Sequence, residues 1–323
     1  MKSVFLDRAS MGDGIHLDRL RAAAPALTEY DYTAPEQVAE RIADHDIAIT
    51  NKSRICAETM ARCKQLKLIA VTATGLNNID MEAAHRHGIQ VANVQHYATP
   101  SIVQHTFSLM LALTTRLVDY HNDVRSGEWA RSSNFCLLHH PIRELSGKTL
   151  GIVGHGDLGQ GVARAASAFG MHVKIAARPG AHYSTDTPAV LESTDSQVER
   201  IPLMQLLPQV DVLSLHCLLS PATERLIGAP QLRLMRRDSL LINTARGGLI
   251  DEQALADALR ERRIGGAGLD VLSEEPPTHP NPLLSGDLPN LIITPHCAWG
   301  SCEARQRLLD HTANNIRDFL AGR

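Results

Sequence analysis

Mostly apolar runs of three to five residues recur along the chain, at 4–6, 47–50, 68–71, 149–153, 173–176, 212–215, 240–243, 266–270 and 291–294. Runs this short, without strict alternation of apolar and polar positions, fit strands buried on both faces. The segments 35–43 and 57–66 carry apolar residues at helical intervals, and Pro35 suits a first helical turn. Strands taking turns with helices predict parallel, doubly wound sheets. Residues 101–118 predict one long helix, apolar on most sides and therefore buried. Residues 302–320 predict a closing amphipathic helix. The pattern breaks at Tyr97-Ala98-Thr99-Pro100, as at a hinge. Residues 126–141 have no period but carry Trp129, Phe135 and two leucines, which predicts an interface. Residues 179–200 are polar and turn-rich and predict a surface excursion.

One strand leads into chemistry directly. After 149–153 come Gly154, Gly156 and Gly159 at the spacing G-x-G-x-x-G, then an Ala-rich segment with helical period. Strand, glycine turn and helix in that order make a dinucleotide-binding unit. Gly154 permits the tight turn, Gly156 the approach of a pyrophosphate, and Gly159 close packing of helix on strand. The helix start offers N–H groups and the positive end of its dipole to phosphates. At the end of the next strand, where an acidic residue would take an adenosine ribose 2′-hydroxyl, the chain has Ala177 and Arg178. An arginine without a carboxylate suits a 2′-phosphate, so NADP(H) is favoured, with NAD(H) possible.

Bulk properties narrow the classes. A chain of 323 residues implies two domains. It is 44% hydrophobic and 21% charged, with net charge −3 and a pI of about 6.6. Without a basic run, nucleic acid and anionic membrane are poor partners. No apolar run is long enough to span a bilayer. The opening residues 1–8 hold too short an apolar stretch for a signal peptide, so a cytoplasmic location is expected. None of the six cysteines forms C-x-x-C, which fits reduced thiols. The 16 histidines invite thoughts of metal. The pair His139-His140 nevertheless lacks a helical i, i+4 partner, so no metal site is expected.

Polar and ionisable residues gather at strand ends, where ligands sit in open α/β sheets. Thr72 to Asp80 follows one strand in the first part of the chain, and His216-Cys217 follows another further on. Arg246, Glu275 and His296 follow three successive strands. A nicotinamide enzyme that reduces a ketone needs a proton donor, and histidine titrates in the right range. A carboxylate such as Glu275 would orient that ring, and an arginine fork would hold an oxo acid.

In combination, the glycine motif, Asn243-Thr244-Ala245-Arg246-Gly247, Gly268-Leu269-Asp270-Val271 to Glu275-Pro276, and Pro295-His296-Cys297-Ala298-Trp299 resemble the D-isomer-specific 2-hydroxyacid dehydrogenases. The resemblance covers essentially the whole chain. Residues 73–80 and the ending His296-x-x-Trp299 resemble the glycerate dehydrogenase/hydroxypyruvate reductase branch. It implies two Rossmann-like domains, the dinucleotide-binding one at 99–298 inserted in a flavodoxin-like substrate-binding one at 1–98 plus 299–323. It implies reduction of small 2-oxo acids such as hydroxypyruvate or glyoxylate, and a homodimer.

Position by position, the resemblance implies that Arg246 binds the substrate carboxylate and keto group, and that His296 is the general acid, paired with Glu275. Asp270 would hold the nicotinamide carboxamide. His155, Asp157 and Leu158 would lie against the pyrophosphate. Thr106, His216, Cys217, Thr244 and Ala245 are further candidate cofactor contacts. Backbone N–H groups around Thr74, Gly75 and Leu76 would bind the substrate carboxylate, and Trp299 would shape its pocket. The stretch from Glu275 to His296 is slightly long for the family. Two other readings share the scaffold: a formate- or phosphite-type dehydrogenase, and a non-enzymatic NAD(H)-sensing interaction protein.

Overall fold

Residues 1–178 and 200–323 are described in the computed structural model, and they divide into two units. One comprises Met1–Ala98 and Trp299–Arg323; the other is Thr99–Ala298. Every strand pairing among the described residues of either sheet is parallel. Both units are thus doubly wound α/β sheets, as the alternation of runs predicts.

In the first unit the strands are β1 (Ser3–Phe5), β2 (Leu27–Glu29), β3 (Ile47–Thr50), β4 (Leu68–Val71) and β5 (Gln90–Ala92), in sheet order β2-β1-β3-β4-β5. The three inner strands are buried at every position, which is why they read as unbroken apolar runs. The edge strands β2 and β5 are partly exposed, mixed in composition and three residues long, so no apolar run announces them. Val4, Leu6, Ile42, Met60, Ile69 and Ala83 pack into one core between the sheet and its helices. Helix Cys302–Leu320 closes the unit. Ser301 caps it by accepting from Ala304 N at 3.1 Å, and Leu308, Leu309, Ala313 and Ile316 form its buried stripe.

The second unit holds β6 (Thr149–Val153), β7 (His172–Ala176), β8 (Arg200–Ile201), β9 (Val212–Leu215), β10 (Leu240–Asn243), β11 (Gly266–Leu269) and β12 (Leu291–Ile293). Their order is β12-β11-β10-β9-β6-β7-β8, so the winding reverses between β6 and β9. Alternate strand residues feed two cores. Leu150, Ile152, Val212 and Ile242 meet Phe107, Met110, Val162 and Ala166 on one face. Val153, Leu213, Leu241 and Leu269 meet Leu206, Leu232, Leu255 and Leu259 on the other.

Three expectations need correction or limits. The helix predicted over 101–118 is two helices, Thr99–Thr114 and Leu117–Arg125. The hydroxyls of Thr114 and Thr115 turn back to the carbonyls of Met110 and Leu111, and Arg116 adopts a left-handed φ of 56°, so the first helix stops. The segment 126–141 is not wholly irregular, since Glu128–Arg131 is a short helix. Of the excursion expected at 179–200, residues 179–199 lie outside the described residues, and Arg200 belongs to β8. Among the described residues, no helix is long and apolar enough to cross a membrane.

Candidate active site

The point where the winding reverses is built from glycine and bare backbone. Gly154 has φ +96°, and a Cβ there would stand 2.6 Å from the backbone of His216 and Cys217. A Cβ on Gly159 would stand 2.1 Å from Gly154 O. Both positions therefore exclude side chains, which lets the turn after β6 nest against the end of β9 and the start of helix Asp157–Ala168. Gly156 is different. Among the described residues, no atom lies within 4 Å of its Cβ position, so the turn is open where a ligand would approach. Helix Asp157–Ala168 closes its first bond from Gln160 N to Gly156 O at 2.9 Å, with the preceding N–H groups at its open end. An open glycine turn feeding the positive end of a helix fits a dinucleotide pyrophosphate. His155 and Leu158 are half-buried here, and the Asp157 carboxylate accepts from the Thr99 hydroxyl.

His216 closes the floor of this turn. Its Nε2 bonds Ser214 Oγ at 2.8 Å, and its buried Nδ1 has no partner among the described residues. Burial pushes its pKa down to about 4, so the ring is neutral at physiological pH. Burial also pushes the Cys217 thiol up. Thr106, fully buried, reaches Thr244 Oγ1 at 3.1 Å, linking helix Thr99–Thr114 to the end of β10. Ala245 N donates to Asn243 Oδ1 at 3.0 Å. Arg178, exposed, stands two residues beyond β7, the neighbour of β6.

The three candidate catalytic side chains follow β10, β11 and β12, which are neighbours in the sheet. His296 Nδ1 and Glu275 Oε2 are 2.6 Å apart. The other oxygen of Glu275 accepts Leu272 N at 2.9 Å, so the carboxylate is held from both sides. The extra length between the two residues leaves the pairing intact. Arg246 is half-buried, its Nη1 donating to Ala245 O at 2.7 Å. Asn243, fully buried, donates to Arg246 O at 2.9 Å and shapes that turn. A Cβ on Gly247 would lie 1.9 Å from the Leu272 carbonyl carbon, so the Arg246 and Glu275 loops touch through backbone alone.

Asp270 holds the histidine loop. It is 1% exposed, and its carboxylate accepts Cys297 N at 2.9 Å, Ala298 N at 2.8 Å and Thr294 Oγ1 at 2.5 Å. Its backbone O accepts His296 N at 2.8 Å. These bonds keep His296 at φ 51°, an unusual left-handed conformation for a residue with a side chain. His105 Nε2 backs the same loop, 2.8 Å from Thr294 Oγ1. Burial and the Asp270 carboxylate push the Cys297 thiol up, which leaves it a poor nucleophile. Glu252 secures the other loop, accepting Ser273 N at 2.7 Å and Asn281 Nδ2 at 2.9 Å.

In the first unit, Thr74 Oγ1 donates to Val94 O at 2.8 Å, and Leu76 packs on the core beside half-buried Gly75. The Asp7 carboxylate gathers Asn51 N, Lys52 N and Ser53 N at 2.7–2.9 Å. The end of β1 thereby fixes the loop after β3. Trp299 sits edge-on to Tyr97, ring centroids 6.4 Å apart.

The structure thus brings together Glu275 with His296, Thr106 with Thr244, and the glycine turn with His216. Asp7, Glu252, Asn243 and His105 are supports that spacing arguments missed. For Asn243 alone the sequence holds a signal, its place in the strand-end motif with Arg246. The pair His139-His140, which has no i, i+4 partner, meets a carboxylate in the fold. Asp123, well upstream in the chain, brings Oδ2 to 3.0 Å from Nε2 of both rings.

The model for the D-isomer specific 2-hydroxyacid dehydrogenase NAD binding domain matches residues 107–298. A glycerate dehydrogenase of Methylorubrum extorquens is 42% identical over 323 residues, covering 100% of this chain and 97% of the relative. A hydroxypyruvate reductase of Blautia hydrogenotrophica is 37% identical over 326 residues, covering 100% and 98%. The crystal structure of TT0316 protein from Thermus thermophilus superposes with a TM-score of 0.84 at 35% identity, covering 100% of this chain and 98% of that one. Members of this family are oxidoreductases that use a pyridine nucleotide, and the open glycine turn fits one. The chain belongs to the D-isomer specific 2-hydroxyacid dehydrogenase family.

Proposed function

We propose that this enzyme reduces hydroxypyruvate to D-glycerate, or glyoxylate to glycolate, with NADPH. The observation that carries the reading is the 2.6 Å His296–Glu275 pair, set one loop away from Arg246. Glu275 takes Nδ1, which leaves Nε2 as the nitrogen that works on substrate. Leu272 N holds the second carboxylate oxygen, so Glu275 cannot swing away as His296 gains or loses its proton. When bound, the reduced nicotinamide supplies the hydride. His296 gives the Nε2 proton to the keto oxygen, turning C=O into C–OH, and takes it back in the reverse direction. Arg246 clamps the carboxylate and steadies the charge that builds on that oxygen.

We assign Thr74, Gly75 and Leu76 to the substrate carboxylate and Trp299 to the pocket wall. His155, Asp157 and Leu158 would face the pyrophosphate. Thr106, His216, Cys217, Thr244, Ala245 and Asp270 would line the cofactor. Arg178 would meet the 2′-phosphate, which favours NADP(H) over NAD(H). Residues 1–98 with 299–323 would be the substrate-binding domain and 99–298 the dinucleotide-binding one. Trp129, Phe135 and Leu138, 49%, 90% and 77% exposed, favour a homodimer buried through this segment, and the six free cysteines suit the cytoplasm.

The test is initial-rate oxidation of NADPH and NADH with hydroxypyruvate, glyoxylate and pyruvate. Fast turnover of NADPH with either of the first two substrates is expected. His296→Ala should then lose about 10²–10⁴-fold in kcat. Tight cofactor binding without turnover on any pair would instead favour a sensor, and an unimpaired His296→Ala would remove the proton-donor role.

A further inference from the structure

We propose that Asp123, His139 and His140 form a site for a zinc-like divalent transition ion. The three donors come from two elements. Asp123 is on helix Leu117–Arg125, and the histidines are adjacent residues of the loop after the short helix Glu128–Arg131. Neighbouring side chains on an extended chain ordinarily point apart. Here both rings turn to one carboxylate oxygen, Oδ2, at 3.0 Å each, with ring centroids 4.3 Å apart.

Tyr120 prepares this geometry. Its hydroxyl donates to His140 O at 2.7 Å and accepts from His140 N at 3.2 Å, which pins the loop against the helix. Its ring lies edge-on to both imidazoles. Tyr120 and Asp123 are three apart and so share a helix face.

The dimensions suit zinc. Bonds of about 2.0–2.2 Å in a tetrahedron put neighbouring donors about 3.3 Å apart. The 3.0 Å nitrogen-to-oxygen spacings, one of them the His140–Asp123 hydrogen bond, need open by only about 0.3 Å to admit an ion. Two imidazoles and one carboxylate match a borderline ion, whereas Mg²⁺ and Ca²⁺ seek all-oxygen shells. Three protein ligands leave a fourth position for water.

The other convergent trio, His105, Asp270 and Cys297, is less suited. The Asp270 oxygens are already taken by two backbone N–H groups and the Thr294 hydroxyl. The ion would tie helix Leu117–Arg125 to the loop after Phe135, apart from the residues of the proposed reaction.

The test is calorimetric titration of the chelator-stripped enzyme with Zn²⁺, and separately with Mg²⁺. We expect one Zn²⁺ per chain, bound at about 10 μM or tighter, and no Mg²⁺. His139→Ala and Asp123→Ala should each weaken binding at least about tenfold, while Cys297→Ser should leave it unchanged. X-ray absorption of the zinc-loaded wild-type protein should show nitrogen and oxygen neighbours only, and this readout needs no variant to fold. Affinity weaker than about 100 μM, binding that survives in the His139→Ala/His140→Ala double variant, or sulfur in the shell would each overturn the proposal.

Discussion

Replacing Asp270 by asparagine isolates the part of the site that holds His296 rather than the part that reacts. The native carboxylate accepts on both oxygens, Cys297 N and Thr294 Oγ1 on one and Ala298 N on the other. An asparagine has a single acceptor oxygen. With that oxygen toward Cys297, its NH₂ faces the Ala298 N–H; in the flipped rotamer, it faces the Cys297 N–H. One backbone donor is unpaired either way, next to a side chain that is 1% exposed in the native protein. A buried unpaired donor costs about 1–3 kcal/mol, or roughly 5- to 150-fold in the population of the ordered loop.

That factor should appear in two independent measurements. Amide exchange at Cys297 and Ala298 in the cofactor-free enzyme should quicken by about one to two orders of magnitude. The turnover number should fall by a similar factor, because His296 Nε2 no longer waits in register with substrate. Exchange measured without cofactor separates this effect from any role of Asp270 toward nicotinamide, which would raise the cofactor KM and leave exchange unchanged. If Asp270→Asn keeps wild-type exchange at both amides, the reasoning is wrong, whatever happens to the rate.

Three further outcomes follow from the same geometry. Gly247→Ala puts a methyl 1.9 Å from the Leu272 carbonyl carbon and should cost about 3 kcal/mol or more, read as a lowered Tm; a wild-type melting curve would refute the contact. His216, with its folded pKa at about 4 and its unfolded value near 6.5, should give its full stability contribution above about pH 6.5. As pH falls from there towards 4, the unfolded chain takes up the proton first, and roughly 3 kcal/mol is lost. An NMR titration of its ring protons with a midpoint near 6.5 would refute the burial argument. Arg178→Ala should lower kcat/KM for NADPH by about 10- to 100-fold with little change for NADH, and equal losses with both would discard the 2′-phosphate role.

How much of this was legible in the sequence depends on which way a residue faces. The residues proposed to meet ligands stood out, because chemistry restricts their type and the sheet delivers them at strand ends. Gly154, Gly156 and Gly159 could be read from spacing, and Arg246, Glu275 and His296 from recurrence after successive apolar runs. Inner strands stood out too, since burial on both faces leaves a plain apolar run. The edge strands β2 and β5 did not, because partial exposure admits residues such as Glu29 and Gln90. The break at Arg116 was hidden for a related reason: apolar residues continue on both sides, and only the back-bonding threonines mark the end.

The supports show why the remainder was beyond a reading of spacing. Asp7, Glu252 and Asp270 do the same work in three places. Each sits at a strand end or helix start, and each accepts at least one backbone N–H of a loop distant in sequence, 44 residues away for Asn51, 21 for Ser273 and 27 for Cys297. Such a carboxylate has no required neighbour in the chain, so no local pattern singles it out. Asp270 was visible only through the resemblance, which assigns its face toward nicotinamide and says nothing of the loop behind it. His139 and His140 make the same point in reverse. Their local sequence offered no partner, and one came from Asp123, two helices earlier in the chain. The candidate reacting groups can thus be named from order and spacing, whereas the bonds that hold His296 and Glu275 in place exist only once the loops have met.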